Sequence, residues 1–479
     1  MVKLAEETRT KIVCTIGPAS RDPETLRELV RQGMDVARLN FSHGTHAEHA
    51  ETIDGLRQIA EDECATVAIL ADLQGPKLRI GALREPLDVE PGDWIALTSN
   101  AADGSARVIP VPHPELVAGS TVAGHWLFGD GEIEVIVREV RPEVVIAEVL
   151  FGGRMTSYQG VHAPGATGEV AALTEKDQED ARFAVSCGVD YVALSFVQRG
   201  ADLDALRFLL DALPDGAGTA IVAKIEKREA LDDLDAILAA VDAVMVARGD
   251  LGLEVPPQEV PIHQKEIIRR CNGCGLPVIT ATQMLRSMID HPRPTRAEAS
   301  DVANAILDGT DALMLSEETA IGRFPIEAVA MMREISVMAE GGLPCRVDDD
   351  AFHGSDGALS VTDAISGATA RIADEVGARL IATSTSSGYT ARQVARERPR
   401  QPIVALTQNE RVLRQLALVW GVAPLRVRAY EGTDDMLQAV SSTLVNADFA
   451  EKDDIIVVTA GLPIGGRGTT NLLKVHRIE

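Results

Sequence analysis

Lysine is scarce in this chain of 479 residues: nine stand against thirty-seven arginines. A lysine inside a polar cluster is therefore a poor candidate for random surface decoration. Cationic charge as a whole is short, with 46 Lys and Arg against 72 Asp and Glu and a net charge of -26. That argues against a general nucleic-acid or anionic-membrane surface, because phosphate backbones are gripped by cationic side chains. A small phosphorylated ligand in a locally basic pocket stays compatible with it. Cysteine is sparse and dispersed, at Cys14, Cys64, Cys187, Cys271, Cys274 and Cys345. Only Cys271 and Cys274 have a C-x-x-C spacing, and no second pair completes a tetrahedral zinc site. Buried free thiols are the expectation. No apolar run is long enough to span a bilayer, and Met1 to Glu7 lack the apolar stretch of a signal peptide. The expected location is cytoplasmic. A G-x-x-x-x-G-K-[ST] motif is missing too, so a nucleotide would not be held by a P-loop.

What is present is a rhythm. Apolar runs at Lys11–Ile16, Val36–Phe41, Val67–Ala71, Tyr191–Phe196, Ala220–Ile225, Ala243–Ala247, Pro277–Thr282 and Ala312–Leu315 alternate with amphipathic helical segments. Eight such units predict a (β/α)8 barrel of strands buried on both faces. The spacing breaks after the third strand, where Gly75-Pro76 leads into a stretch of different texture. Leu87–Thr98, Gly119–Val122, Glu132–Val140 and Val144–Val149 read there as short strands. The expectation is a barrel over residues 1–75 and 166–343, with an all-β unit over 76–165 hung from its C-terminal face. Inserts in that place commonly act as lids, a passive spacer being the alternative. Beyond an acidic turn at Asp348-Asp349-Asp350, residues 344–479 form a separate α/β unit. Its candidate strands are Leu380–Thr385, Pro402–Thr407, Pro424–Val427, Asp454–Thr459 and Leu473–Ile478. Gly465-Gly466-Arg467-Gly468 lacks the setting of a dinucleotide site and reads as a loop. No internal repeat beyond the barrel period is evident.

Barrels of this kind keep their chemistry at the C-terminal strand ends. Lys224 and Glu226 lie two residues apart and point to one side of a strand end, and Asp250 closes the next run. Arg38, Asn40, Ser42, Asp72, Arg199, Thr282, Ser316 and Glu318 arrive at the same rim from other strands. A structural ion-pair cluster is the bland reading of the first three. Polar groups from seven strands make a catalytic site the economical one. Two carboxylates suit a hard divalent cation, most often Mg²⁺. Arg38, Arg79 and Lys224 offer positive charge to phosphate or carboxylate.

At this point the chain resembles the pyruvate kinase family. The resemblance spans nearly the whole length and rests on Lys11-Ile12-Val13-Cys14-Thr15-Ile16-Gly17-Pro18, Arg38-Leu39-Asn40-Phe41-Ser42-His43-Gly44, Met245 to Gly252, Ala281 to Leu285, and Arg293 to Ala305. It implies phosphoryl transfer from phosphoenolpyruvate to ADP, giving pyruvate and ATP. It also implies a homotetramer. Carried over residue by residue, Glu226 and Asp250 hold Mg²⁺ (or Mn²⁺), and Lys224 neutralises the transferring phosphoryl and the enolate oxygen. Arg38 meets the substrate phosphate and the backbone around Gly249 its carboxylate. Thr282 lies near the site of enolate protonation, with Ser316 and Glu318 behind it. Asn40, Phe41, Ser42, His43, Arg79 and Arg199 fall on the nucleotide side, Arg199 standing where lysine is common.

Asp72-Leu73-Gln74-Gly75-Pro76-Lys77-Leu78-Arg79 departs from the D-T-K-G-P-E-I-R of many members and is similar to the branch that needs no K⁺. The expectation is that the Lys77 ammonium supplies the charge of the monovalent cation otherwise held by groups at Asn40, Ser42, Asp72 and Leu73. The alternative has Lys77 pointing to solvent. Glu317 and Ile321 replace a common Gly and Lys, and Gly129-Asp130-Gly131 lacks one acid of the usual Asp-Asp-Gly. Thr383, Ser384, Thr385, Ser386, Ser387, Gly388 and Thr390 join a strand to a helix where relatives bind a phosphorylated effector. Helix capping is the competing reading of that loop. Another metal-dependent barrel acting on pyruvate-like enolates, and an inactive ligand-binding homologue, are the rival functions.

Overall fold

The computed structural model describes residues 8–100, 107–166, 171–343, 360–463 and 469–479. Eight parallel strands close a barrel: Lys11–Ile16, Val36–Asn40, Ala68–Asp72, Tyr191–Leu194, Ala220–Ile225, Ala243–Ala247, Val278–Ala281 and Ala312–Leu315. Closure is made by the first strand against the eighth, with Lys11 opposite Ala312. The strands are apolar along most of their length because one face packs inside the barrel and the other under the helices. Helix starts are fixed locally, by reciprocal side-chain caps at Thr45, Thr174 and Thr295.

The floor of the barrel carries a repeat that sequence reading missed. Asp35, Asp190, Asp242 and Asp311 each precede an even-numbered strand. Each accepts the backbone N–H of the preceding odd-numbered strand, at Ile12, Ile69, Ile221 and Val278 respectively, over 2.8–3.0 Å. Each also meets a cation: Lys11, Arg57, Arg207 or Arg398. Strands are thereby pinned in pairs from below.

Between the third and fourth strands the chain builds a six-stranded sheet and a two-stranded one. Two expectations need correction there. Leu87–Thr98 is not one strand but two, Leu87–Val89 and Trp94–Thr98, broken at Pro91-Gly92, where Gly92 turns at φ 91° and proline offers no N–H. Gly119–Val122 is not a strand. Gly119 ends a short helix, Pro114–Gly119, which proline can start, and the strand follows at His125–Phe128. The unit is the expected β domain with one short helix added, and Val108–Pro110 is a strand the pattern did not suggest.

The C-terminal unit is a five-stranded sheet in the order Val422–Arg426, Ile403–Thr407, Ile381–Ser384, Ile455–Ala460, Leu472–Arg477, antiparallel only at the last. It docks beneath the barrel floor. Arg414 pairs with Asp190 at 2.7 Å, the Tyr191 hydroxyl donates to the Gln415 carbonyl at 2.6 Å, and Arg398 pairs with Asp311 at 3.2 Å. Cys14 and Cys271 are buried, but Cys64 and Cys274 are exposed, correcting the expectation of uniformly buried thiols. Cys345, the acidic turn at 348–350 and the 465–468 loop lie outside the described residues. No helix among the described residues is long and apolar enough to cross a membrane.

Candidate active site

Strand ends deliver the rim. Lys224 lies in the fifth strand and Glu226 follows it, so both side chains reach the barrel mouth. The Lys224 ammonium lies 3.2 Å from Asp72 and 2.9 Å from Glu226, and donates to Ser195 Oγ at 2.7 Å. Asp72 is shared: its other oxygen takes Arg38 Nε at 2.6 Å, and Arg38 Nη1 donates to Thr15 Oγ1 at 2.9 Å. Glu226 Oε2 accepts the Phe196 N–H at 2.7 Å. Its Oε1, though close to the ammonium, lies off the line a hydrogen bond requires and is left unsatisfied while buried. A buried carboxylate oxygen with unspent lone pairs is what a hard cation takes up. Asp250 is not at a strand end, as expected, but in the first turn of helix Arg248–Glu254, because the sixth strand stops at Ala247. It still lines the same cavity of about 200 Å³ with Arg38, Lys224, Glu226 and Lys77. Among the described residues no three His, Cys, Asp or Glu form a cage. Two carboxylates, Glu226 and Asp250, lining one cavity suit an ion such as Mg²⁺, which keeps waters and takes substrate oxygens.

Electrostatics follow from this packing. Burial pushes the Lys224 pKa down, but Asp72 and Glu226 outweigh it and the ammonium is held charged. Burial and the neighbouring Asp250 charge raise Glu226, against the pull of Lys224. Asp72 is lowered overall, since Lys224 and Arg38 outweigh its own burial.

Thr282 stands one residue beyond the seventh strand, not within it, at φ 71°, and Gln283 follows at 57°. A β-branched residue there is strained. The strain is held by Arg248, which donates to the carbonyls of Ala281 and Thr282 at 3.1 and 2.7 Å and pairs with Asp301 at 2.8 Å. The Gly249 N–H donates to Thr282 Oγ1 at 2.8 Å. Arg248 and Ser195, which the sequence places at the rim without assigning them a role, are positioning residues. The only signal for either was its place at a strand end.

Not every candidate joins the cavity. Asn40, Ser42, Leu73 and Lys77 line it; Thr282, Ser316, Glu318 and Arg199 are not in its wall. Both Glu318 oxygens accept backbone N–H groups, of Leu285 and Ser316, and burial raises its pKa. The Phe41 ring is buried and stacks on His49 at 4.3 Å, its N–H donates to the Asp72 carbonyl and its carbonyl accepts from Lys176, and it does not line the cavity. Arg79 donates to the Tyr158 carbonyl at 2.6 Å. Lys77 is exposed at the cavity edge, makes no ion pair among the described residues, and has its pKa lowered by partial burial and by Arg79, against Asp250 and Asp130. In the effector loop, Thr383, Ser384, Thr385 and Thr390 are buried, with Ser384 on Tyr430 and Thr390 on Thr470. Ser386 and Ser387 alone of the hydroxyls reach the surface, and neither caps the helix that follows, Tyr389–Ala395.

Two family models match this chain: "Pyruvate kinase, barrel domain" over residues 7–329 and "Pyruvate kinase, alpha/beta domain" over 363–476. The chain belongs to the pyruvate kinase family. Its activity is that of a phosphotransferase. It is 45% identical over 472 residues to the pyruvate kinase of Agrobacterium vitis, covering 98% of this chain and 97% of that one. The pyruvate kinase of Geobacillus stearothermophilus is 44% identical over 474 residues, covering 98% and 80%. A crystal structure of a pyruvate kinase from Cryptosporidium parvum superposes with a TM-score of 0.93 at 34% identity, over 99% of this chain and 97% of that one.

Proposed function

We propose that the rim cavity transfers the phosphoryl group of phosphoenolpyruvate to ADP, giving pyruvate and ATP. The observation that carries this reading is the unspent, buried Glu226 oxygen 2.9 Å from the Lys224 ammonium. Glu226 and Asp250 would hold Mg²⁺ (or Mn²⁺), which when bound supplies positive charge to the substrate oxygens. Lys224, kept protonated by Asp72 and Glu226, neutralises the phosphoryl group in flight and the oxygen it leaves on the enolate. Arg38 is anchored through Nε and Nη1, and its Nη2, without a partner among the described residues, is available to the substrate phosphate. The backbone at Gly249 and Asp250 receives the carboxylate, and the nucleotide lies toward Asn40 to His43, Arg79 and Arg199. Thr282 stands where the enolate carbon takes its proton, with Ser316 and Glu318 behind it, and the inserted unit closes over the cavity. A coupled assay for ATP formation tests the reaction; no turnover despite tight phosphoenolpyruvate binding would overturn it.

The Lys77 ammonium serves in place of K⁺. What supports this is that Lys77 lines one cavity with Asn40, Ser42 and Leu73, the last being a buried apolar residue that offers no side-chain oxygen to K⁺. Turnover in K⁺-free tetramethylammonium buffer is expected to lie within about twofold of that with K⁺, and Lys77→Glu to create K⁺ dependence. Strong K⁺ activation of the native enzyme sinks the idea. A homotetramer in the cytoplasm, with a phosphorylated effector at the 383–390 loop, completes the reading. Thermal shifts with fructose bisphosphates, ribose 5-phosphate and AMP test the effector.

A further inference from the structure

Glu226 and Asp250 reach the rim on different elements, so something outside the pair has to set their spacing. Asp250 lies in helix Arg248–Glu254, whose seven residues are too few to hold a helix on their own. The helix is moored at both ends. Arg248, its first residue, is tied to the end of the seventh strand through the carbonyls of Ala281 and Thr282. Glu254, its last, accepts the Lys227 ammonium at 2.5 Å. Lys227 directly follows Glu226, and Glu254 lies one helical turn after Asp250. One ion pair therefore joins the two segments that carry the rim carboxylates.

That ion pair is well shielded. The Glu254 side chain is 3% exposed and that of Lys227 19%, so water does little to weaken their attraction. The inserted unit contributes His162, whose Nδ1 lies 3.7 Å from the same Glu254 oxygen. Burial pushes the Glu254 carboxyl up, but His162 and Lys227 outweigh it and hold it below the usual carboxylate range. Leu251, Val255 and Val260 also form an apolar cluster against Leu231, in the helix after Lys227. Apolar contact is non-directional and fixes no distance to a fraction of an ångström; a close ion pair does.

We propose that Lys227 and Glu254 are positioning residues for the divalent ion, their ion pair fixing the distance between Glu226 and Asp250. The inference rests on the reading of Glu226 and Asp250 as metal ligands. Partners that orient metal-binding carboxylates commonly account for 10- to 100-fold in metal affinity.

Titration of the full chain with Mn²⁺, the free ion being read by electron paramagnetic resonance, tests the brace. Lys227→Met is expected to weaken Mn²⁺ binding about tenfold or more, and Lys227→Arg to restore most of it. Charge alone predicts the opposite sign, because removing a cation near the site favours a bound one. Unchanged or tighter binding in Lys227→Met therefore overturns the proposal. Should that variant, with Glu254 left unpaired, fail to fold, Lys227→Met combined with Glu254→Gln removes the ion pair without changing net charge. The same weakening is expected there, and native affinity overturns the brace. Saturating Mn²⁺ should return kcat of these variants to within about threefold of native, since ion occupancy is what they lose. A raised KM for phosphoenolpyruvate at native Mn²⁺ affinity would make Lys227 a substrate contact and overturns the proposal. Failure of the native chain to bind Mn²⁺ overturns the metal reading itself, whereas native binding with indifferent variants overturns the brace alone.

Discussion

At the barrel floor, Asp190 is wholly buried and spends both carboxylate oxygens: one takes Arg414, the other Arg57 and the Ile69 N–H. At the rim, Glu226 is as deeply buried, yet one of its oxygens has no hydrogen bond. The same chemical group is therefore put to opposite uses. Where every lone pair is satisfied, the carboxylate fixes strand register and docks the C-terminal unit. Where one is left without a hydrogen bond, the Lys224 ammonium at 2.9 Å offsets only part of its desolvation, and an arriving cation offsets more. The floor carboxylate Asp190 holds the scaffold, and the rim carboxylate Glu226 keeps one oxygen for ligand.

That contrast can be broken first at the floor. Asp190→Asn leaves two arginines short of their partner and is expected to cost about 3–5 kcal/mol of unfolding free energy, measured by urea titration. The folded fraction should retain native kcat. A large loss of kcat with intact stability would mean that the floor is part of the chemistry. At the rim the reverse is expected. Glu226→Gln keeps the shape and the Phe196 contact but removes the charge, so kcat should fall by about 10²–10³ while the melting temperature holds or rises. A fall in stability like that of Asp190→Asn would erase the distinction.

The pH dependence gives the smallest and sharpest test. Asp72 has its pKa lowered in the fold by Lys224 and Arg38 in spite of burial. The stability it contributes is complete above the ordinary aspartate range near pH 4 and is lost as pH falls through the lowered folded value. Asp311 at the floor has its pKa raised by burial, despite Arg398. Its contribution is complete below pH 4 and fades as pH rises through the raised folded value. Unfolding free energies of the native chain minus Asp72→Asn, and minus Asp311→Asn, should therefore slope upward and downward with pH respectively. Parallel slopes would refute the assignment.

How much of this was legible in the residues follows from the same physics. Barrel strands announced themselves because burial on both faces demands unbroken apolar runs, and Lys224, Glu226 and Arg38 stood out by interrupting or ending them. The inserted strands were read less well, since Pro91-Gly92 and Pro114 break the pattern by backbone chemistry rather than by hydropathy. Asp35, Asp190, Asp242 and Asp311 could not be singled out, because a carboxylate bonded to a backbone N–H across strands leaves no local trace. Thr282 gave no warning of its left-handed backbone.

One consequence of the paired pins lies in the chain's longest excursion. It departs the barrel at Asp72 and rejoins it at Tyr191, having built a second folded body on the way. Those two strands are fastened to each other at the far end, by Asp190 on Ile69. Barrel closure therefore does not depend on the detour overhead, and evolution or an engineer can rework that body while the ring beneath it stays shut.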